Sequence, residues 1–347
     1  MRNRLLGVFI LSFFMNTAWA DPQSSLDRDE AVMFFPALAL ARAPDVVAVR
    51  IEAWVFEEES EHAMTLALTS YLGVDLAAQA PWRQVLFNER ARYFRTDSER
   101  GEQILVRVGE GVHPLPLTDA SGRASGEVVV GRDRVAWQDG GIGRIAYTLE
   151  APGHPAHGLA GHAWVLPARG VFVVSDIDDT IKLSSVRDKK TLLFNTFLEP
   201  FRAVPGMAAW YREMAGQEGV FFHYLSASPL ELHPALSGFL EEQRFPPGVL
   251  HLRESTSWRT LLASQEDNIA HKTAVLDRLA AAFPEREFIL VGDSGESDPE
   301  IYARFARRHP DRVIAIHIRD VTGEDRNAPR YRKVFAGIAP ERWLLRD

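Results

Sequence analysis

Cysteine is absent from all 347 residues. Disulfides, thiolate nucleophiles and cysteine-ligated metal centres are excluded with it, so the fold must be held by its own core. Positive charge is also short: 39 Lys and Arg stand against 47 Asp and Glu, a formal charge of −8. That balance is the wrong sign for a chain that grips a nucleic-acid backbone, and no nucleic-acid partner is expected. Beyond residue 20 no apolar run is long enough to span a bilayer. Internal repeats and low-complexity tracts are missing. Two familiar motifs, a Gly-Lys-Ser/Thr phosphate loop and His-Glu-x-x-His, are missing as well. Gly292-Asp-Ser-Gly295 lacks the residue between Ser and the second Gly that a nucleophile elbow needs.

What is present begins with a basic start, Met1-Arg-Asn-Arg4, an apolar run ending at Phe14, and Ala18-Trp-Ala20 as a small-x-small cleavage signature. The pattern predicts a cleaved secretory leader over residues 1–20 and a periplasmic or secreted bacterial protein. Loss of Arg2 and Arg4 with the leader takes the formal charge from −8 to −10. With 46% hydrophobic and 25% charged residues, the remainder is long enough for two domains with cores of their own.

Residues 21–167 read as a β-rich, sandwich-like N-terminal domain and linker. The segments 46–56, 103–108, 127–130, 144–149 and 162–166 are rich in β-branched and aromatic residues and are separated by turn clusters. A helix is expected from Glu61 to about Leu72, and the acidic run Glu57–Glu61 reads as a solvated face. His154, His157 and His162 lie in a Gly/Pro-rich stretch that reads as the interdomain linker. No carboxylate or cysteine joins them there to make a metal site. After Gly170 strands alternate with helices, which predicts a parallel sheet wound by crossovers over 168–325, followed by a C-terminal tail over 326–347. Helices are expected over Gly206–Ala215, Leu230 to about Gln243 and Lys272–Phe283, and the last strand over Arg312–Ile318.

The chain is organised around Val171-Phe-Val-Val-Ser-Asp-Ile-Asp-Asp-Thr180, a short buried strand running into two aspartates one residue apart. At the carboxyl end of a parallel strand, Asp176 and Asp178 would face the crevice where open α/β sheets bind ligands. Carboxylates that close repel each other unless a cation or a shared proton intervenes, and a hard divalent ion such as Mg2+ suits an all-oxygen site. Three further pieces fall at strand ends or helix starts. Ser226, in Leu225-Ser-Ala-Ser-Pro229, can donate to a phosphate oxygen. Lys272, read as preceding a helix, can neutralise a phosphoryl group. Gly292-Asp-Ser-Gly-Glu-Ser-Asp298 brings Asp293, backed by Asp298 or Glu296, toward the metal. Taken singly, each is more often a cap, a turn or a surface charge; in register they point to one site.

Asp-x-Asp-x-Thr after an apolar strand resembles the first motif of the haloacid dehalogenase superfamily. The strings Asp176-Ile-Asp-Asp-Thr-Ile-Lys182, Asn195-Thr-Phe197, Leu225-Ser-Ala-Ser-Pro229, Phe245-Pro-Pro-Gly248 and Gly292 to Tyr302 are similar to the catalytic domain of the actin-patch-type phosphatidate phosphatases, relatives of the lipins. The resemblance covers about Val171 to Thr322. It implies a haloacid-dehalogenase-like Rossmannoid fold with a minimal cap, and Mg2+-dependent hydrolysis of phosphatidate to diacylglycerol and phosphate. It further implies Asp176 as nucleophile forming an aspartyl-phosphate, and Asp178 as acid and then base. Thr180 would fix the loop, and Ser226 and Lys272 would bind the phosphate. Mg2+ would be held by Asp176, Asp178 through its backbone carbonyl, and Asp293, with Asp298 as ligand or support.

Two alternatives accompany this reading: a phosphatase for soluble phosphomonoesters, and a non-catalytic phosphatidate-binding envelope protein. The stretch Ile181–Pro205 pairs Arg187, Lys189 and Lys190 with Leu192, Leu193, Phe194, Phe197 and Leu198. This pairing suits either peripheral docking on anionic lipid or a buried apolar set with solvated cations.

Overall fold

The computed structural model describes residues 23–59, 63–254, 258–262 and 264–346. The expected leader lies outside these residues, as does the end of the acidic run. The N-terminal half is built on β3 (Val46–Glu58), whose thirteen residues give it partners on both flanks. On one flank run β1 (Glu30–Phe35) and β2 (Ala37–Ala43), separated at Pro36, which has no N–H to give to the ladder. On the other run β4 (Thr96–Ser98) and β7 (Arg123–Gly131). The path continues from β2 through β10 (Ala160–Val165) and β9 (Gly143–Leu149) to β5 (Leu105–Val108) and β6 (Gly111–Pro114), with β8 (Ala136–Trp137) on β9.

Side chains alternate along β3. Val47, Val49, Ile51, Ala53 and Val55 enter a core shared with Val106, Ile145 and Tyr147, while Trp54 and Phe56 face the other way. The sheet therefore curls about one core. The β-rich, sandwich-like domain expected here takes the form of one continuous ten-stranded hydrogen-bonded sheet.

Between β3 and β4 the chain leaves the sheet as α1 (Ala63–Leu72) and α2 (Pro81–Ala91). The polar composition of α2 hides it from a reading based on apolar periodicity. Leu68, Leu72, Phe87 and Ala91 pack with Leu193 and Phe197 of the C-terminal half, not on their own sheet. The Arg90 guanidinium donates to the carbonyls of Asn195, Thr196 and Glu199 at the end of α3 (Lys189–Leu198) and lies 3.6 Å from the Phe201 ring centroid.

The proposed linker histidines are structural. His154 Nε2 pairs with the Asp27 carbonyl at 2.9 Å, its Nδ1 accepts from Ala156 N, and His157 Nδ1 accepts from Ala151 N. His162 sits within β10. The passage between halves is instead residues 166–169, between β10 and β11 (Gly170–Asp176).

The C-terminal half is a six-stranded, all-parallel sheet in the order β13-β12-β11-β14-β15-β16. Its members are β11, β12 (Val220–Pro229), β13 (Gly248–Arg253), β14 (Arg286–Asp293), β15 (Val313–Arg319) and β16 (Trp343–Arg346). The chain starts in the middle, winds outward to β13, then returns to β14 beside β11 and winds the other way. The order reverses between β11 and β14, which is where such sheets open a ligand crevice at their carboxyl ends. The crossovers carry α4 (Met207–Ala215), α5 (His233–Glu242), α6 (Gln265–Ala282), α7 (Asp298–Arg308) and α8 (Pro329–Val334).

Two expectations are corrected here. The stretch expected as a tail over 326–347 is, over the described residues 326–346, part of the fold: α8 packs on the domain, β16 completes the sheet, and Tyr331, Phe335 and Trp343 enter its core. Their pattern is too short to show periodicity. Lys272 does not precede its helix but lies within α6, which begins at Gln265. Ser264 caps it by accepting from Asp267 N, and Glu266 and Asp267 suit the positive end of the helix dipole. A start placed at the first apolar spacing misses those polar turns. Among the described residues no helix is long and apolar enough to cross a membrane.

Candidate active site

Asp176 is the last residue of β11 and Asp293 the last of β14, so adjacent parallel strands deliver two carboxyls to one rim. Asp298, at the start of α7, turns back so that its Oδ2 accepts from Asp293 N at 3.2 Å. Gly292 makes this approach feasible: a Cβ there would meet the Asp298 carboxylate at 2.4–2.7 Å. Oxygens of Asp176, Asp293 and Asp298 come within 4.8 Å of one another, and all three residues are buried.

Lys272 answers this charge. Its Nζ donates to Asp176 Oδ1 at 2.8 Å, Glu296 Oε2 at 3.0 Å and Asp298 Oδ1 at 2.5 Å. Burial works against the ammonium, but the carboxylates of Asp176, Asp298 and Glu296 hold its pKa well above the usual lysine value. One ammonium does not balance the group. Burial first, then neighbouring carboxylates, push Asp176 and Asp293 well above the ordinary carboxyl range; Asp298 is also raised, with Lys272 opposing. Asp293 Oδ1 accepts from Gly295 N at 2.6 Å and Glu296 N at 3.2 Å, while its buried Oδ2 has no hydrogen-bond partner among the described residues. An orphaned carboxylate oxygen among crowded all-oxygen donors fits a hard divalent cation.

Asp178 has a different environment. Its Oδ1 accepts from Ser184 Oγ at 2.7 Å and lies 2.7 Å from Lys182 Nζ; its Oδ2 accepts from Ser226 Oγ at 3.0 Å and Ser228 Oγ at 3.1 Å. Burial would raise its pKa, but Lys182 and the donated hydrogen bonds outweigh it and hold the carboxyl down to about 2. Thus Asp176 and Asp178, two residues apart, are pushed in opposite directions. The separation comes from the loop after β11. Asp179 takes the left-handed conformation, φ 55°, and its carboxylate accepts from the backbone N–H groups of Ser184, Ser185 and Val186. The folded-back loop carries Lys182 and Ser184 to Asp178.

The structure thus brings together Asp176, Thr180, Lys272, Asp293 and Asp298, with Thr180 Oγ1 donating to Asp176 Oδ2 at 2.8 Å. It joins Ser226 to Asp178 rather than leaving its hydroxyl free for a phosphate. The Asp178 carboxylate is directed at Lys182 and the three serines, outside the metal-compatible group; the resemblance had assigned its backbone carbonyl. Lys182, Ser184 and Ser228 were not singled out from sequence. A lysine four residues after Asp178 within one short loop was the available signal.

A cavity of about 260 Å³ opens beside Lys272, lined by Arg187, Lys189, Asn268 and Glu296 among others. The apolar residues following those cations face inward: Leu192, Leu193, Phe197 and Leu198 are buried. Of the two readings of this stretch, these apolar residues follow the buried one.

Residues 171–320 match the family described as phosphatidate phosphatase APP1, catalytic domain. The chain is 31% identical over 202 residues to phosphatidate phosphatase APP1 of Saccharomyces cerevisiae, an alignment covering 54% of this chain and 33% of that protein. It is 32% identical over 164 residues to an uncharacterized protein of Schizosaccharomyces pombe, covering 46% of this chain and 27% of the relative. The chain thus spans about a third or less of the curated relatives it matches.

Proposed function

We propose that this chain, which carries a catalytic domain of the phosphatidate phosphatase APP1 type in residues 171–320, hydrolyses phosphatidate to diacylglycerol and phosphate with Asp176 as nucleophile. The observation that carries the reading is the meeting of Asp176, Asp293, Asp298 and Lys272 at the switch point of a parallel sheet. The strand order and the single helix α3 between β11 and α4 support a haloacid-dehalogenase-like fold with a minimal cap.

In the first step an Asp176 carboxylate oxygen attacks phosphorus. The bond from phosphorus to the glycerol oxygen breaks, and the departing oxygen takes a proton from Asp178. In the second, water attacks the aspartyl-phosphate, Asp178 takes the water proton, and phosphate leaves with Asp176 restored. Asp178 is ionised in the arrangement described, the state that accepts a proton; a dianionic phosphate beside it favours the protonated form needed for the first step. Thr180 and Lys272 hold one Asp176 oxygen each. Ser226 is placed to exchange its bond to Asp178 for one to a phosphate oxygen.

Asp176, Asp293 and Asp298 are the carboxylates that would hold Mg2+, and the family resemblance adds the Asp178 backbone carbonyl as a further ligand. When bound, Mg2+ supplies positive charge against that developing on the transferring phosphoryl group. Peripheral contact with a lipid surface would rest on the cations Arg187 and Lys189 at the cavity. Residues 1–20 are proposed as an export leader, so that N-terminal sequencing of the exported protein reads from Asp21.

The test is phosphate release from phosphatidate in mixed micelles and from glycerol phosphate, with Mg2+ and with EDTA. Mg2+-dependent release that favours phosphatidate is expected. A higher kcat/KM for the soluble ester sinks the lipid reading, and full activity in EDTA sinks the metal site.

A further inference from the structure

Where the N-terminal sheet meets the C-terminal half lies a cavity of about 440 Å³ that the phosphatase reading does not use. Its aromatic lining is Trp54 of β3 with Tyr93 and Phe94 before β4; its acidic lining is Asp97 of β4, with Glu231 and Glu254 from the other half. Small-molecule sites span about 300–1,000 Å³, so the volume suits a compact ligand.

Three observations define its chemistry. The aromatic wall is a cluster: Trp54 and Tyr93 ring centroids are 6.5 Å apart, and Phe56 behind them is 4.3 Å from Trp54 and 5.8 Å from Tyr93. The lining also holds one cation, Arg123: its guanidinium lies over the Phe35 ring at 4.3 Å, its Nη2 is 3.8 Å from Glu52, and its buried Nε and Nη1 have no hydrogen-bond partner among the described residues. Three carboxyl groups, those of Asp97, Glu231 and Glu254, thus share the lining with this single guanidinium. Finally, Glu231 is only 5% exposed, and its Oε2 makes no hydrogen bond among the described residues. A buried carboxyl oxygen without a donor is costly and calls for one.

Aromatic faces attract cations through the ring quadrupole, and carboxyl groups attract them through charge, here the exposed Asp97 and Glu254 with the buried Glu231 behind them; together they select an organic ammonium over a neutral or anionic ligand. We propose that this junction cavity is a binding site for an organic ammonium group, seated against Trp54 and Tyr93 and paired with Glu231 and Asp97. The proposal stands independently of the chemistry at Asp176. Burial pushes the Glu231 carboxyl up to about 8 despite Arg123, so an arriving cation finds a group ready to ionise against it.

The probe is choline, with its uncharged isostere 3,3-dimethylbutan-1-ol as control. Binding to the full chain is measured by calorimetry and saturation-transfer NMR. Choline is expected to bind saturably and at least ten-fold more tightly than the alcohol. Asp97→Asn/Glu231→Gln should weaken choline ten-fold or more with thermal unfolding still cooperative, and Trp54→Leu should weaken it separately. Equal binding of choline and the alcohol overturns the proposal. So does retention of choline affinity in the folded double variant, which places any ammonium binding elsewhere.

Discussion

The two halves of the molecule treat buried charge differently. The N-terminal sheet buries aliphatic and aromatic residues, and its few buried charged groups include Glu30 and the α2 residue Arg90. The parallel sheet and its loops bury Asp176, Asp178, Lys182, Lys272, Asp293 and Asp298. Direction explains much of this. Antiparallel neighbours send successive strand ends to opposite rims, so polar end residues disperse into solvent. Parallel strands send every carboxyl end to the same rim, and at the switch point the loops diverge and leave room between them. Carboxylates gathered there keep their charge only with a lysine, hydroxyls or a metal at hand, and that unbalanced state is the reactive one.

Breaking the collected charge at the nucleophile should have the largest effect. Asp176→Asn keeps the side-chain shape and removes the attacking negative charge, so phosphate release should fall by roughly three orders of magnitude or more. Thermal unfolding should be unchanged or shifted upward, since a buried carboxyl with a raised pKa has been neutralised. Near-wild-type turnover would remove Asp176 from the mechanism.

Lys272→Met tests whether the cation holds the rim together. The side chain is 1% exposed and serves three carboxylates, so its loss should cost about 3–5 kcal/mol of stability as well as activity. Denaturant titration in EDTA gives the number, and Mg2+ should restore part of the stability by taking over the charge. No Mg2+ effect in the variant argues against metal at this rim.

A complementary cut in the other half is Ile145→Ala, in the shared core of the curled sheet. It should cost about 2–5 kcal/mol while leaving kcat unchanged below the unfolding transition. A proportional fall in kcat would mean that the N-terminal core controls the rim.

The effect expected at the border between the halves vanishes at acidic pH and grows only as pH rises. The Glu231 carboxyl is raised by burial from 4.5 to about 8. A group whose folded pKa is raised contributes stability that is complete below the unfolded value and is lost as pH rises through the folded one. The native protein should therefore weaken between about pH 4.5 and pH 8 relative to Glu231→Gln, which has no proton to lose. Urea midpoints should coincide near pH 4.5 and separate at pH 9 in favour of the variant, by on the order of 3 kcal/mol. Parallel curves would show that Glu231 ionises freely in the folded state.

The amino-acid sequence by itself determined the strand Val171–Ser175, the paired aspartates beyond it, and the loop Gly292–Asp298 with its own acids. These are local features: an apolar run sets the strand, and the next residues must emerge at its end. It also marked Thr180, Ser226 and Lys272 as members of the site, although Lys272 proved to lie inside α6, whose polar first turns hide its start. Tertiary structure alone decided that Asp298 folds back onto Asp293, and that Ser226, Ser228, Lys182 and Ser184 converge on Asp178. Those contacts join residues up to 50 positions apart and set the opposite pKa shifts of Asp176 and Asp178. The fates of ambivalent residues were likewise decided by packing. Leu193 and Phe197 suit a lipid surface or a core equally well until α1 and α2 are laid over them, and His154 is a ligand or a strut depending on whether the Asp27 carbonyl stands opposite. Composition and spacing describe what a side chain can do. Which neighbour arrives from a distant part of the chain determines what it does.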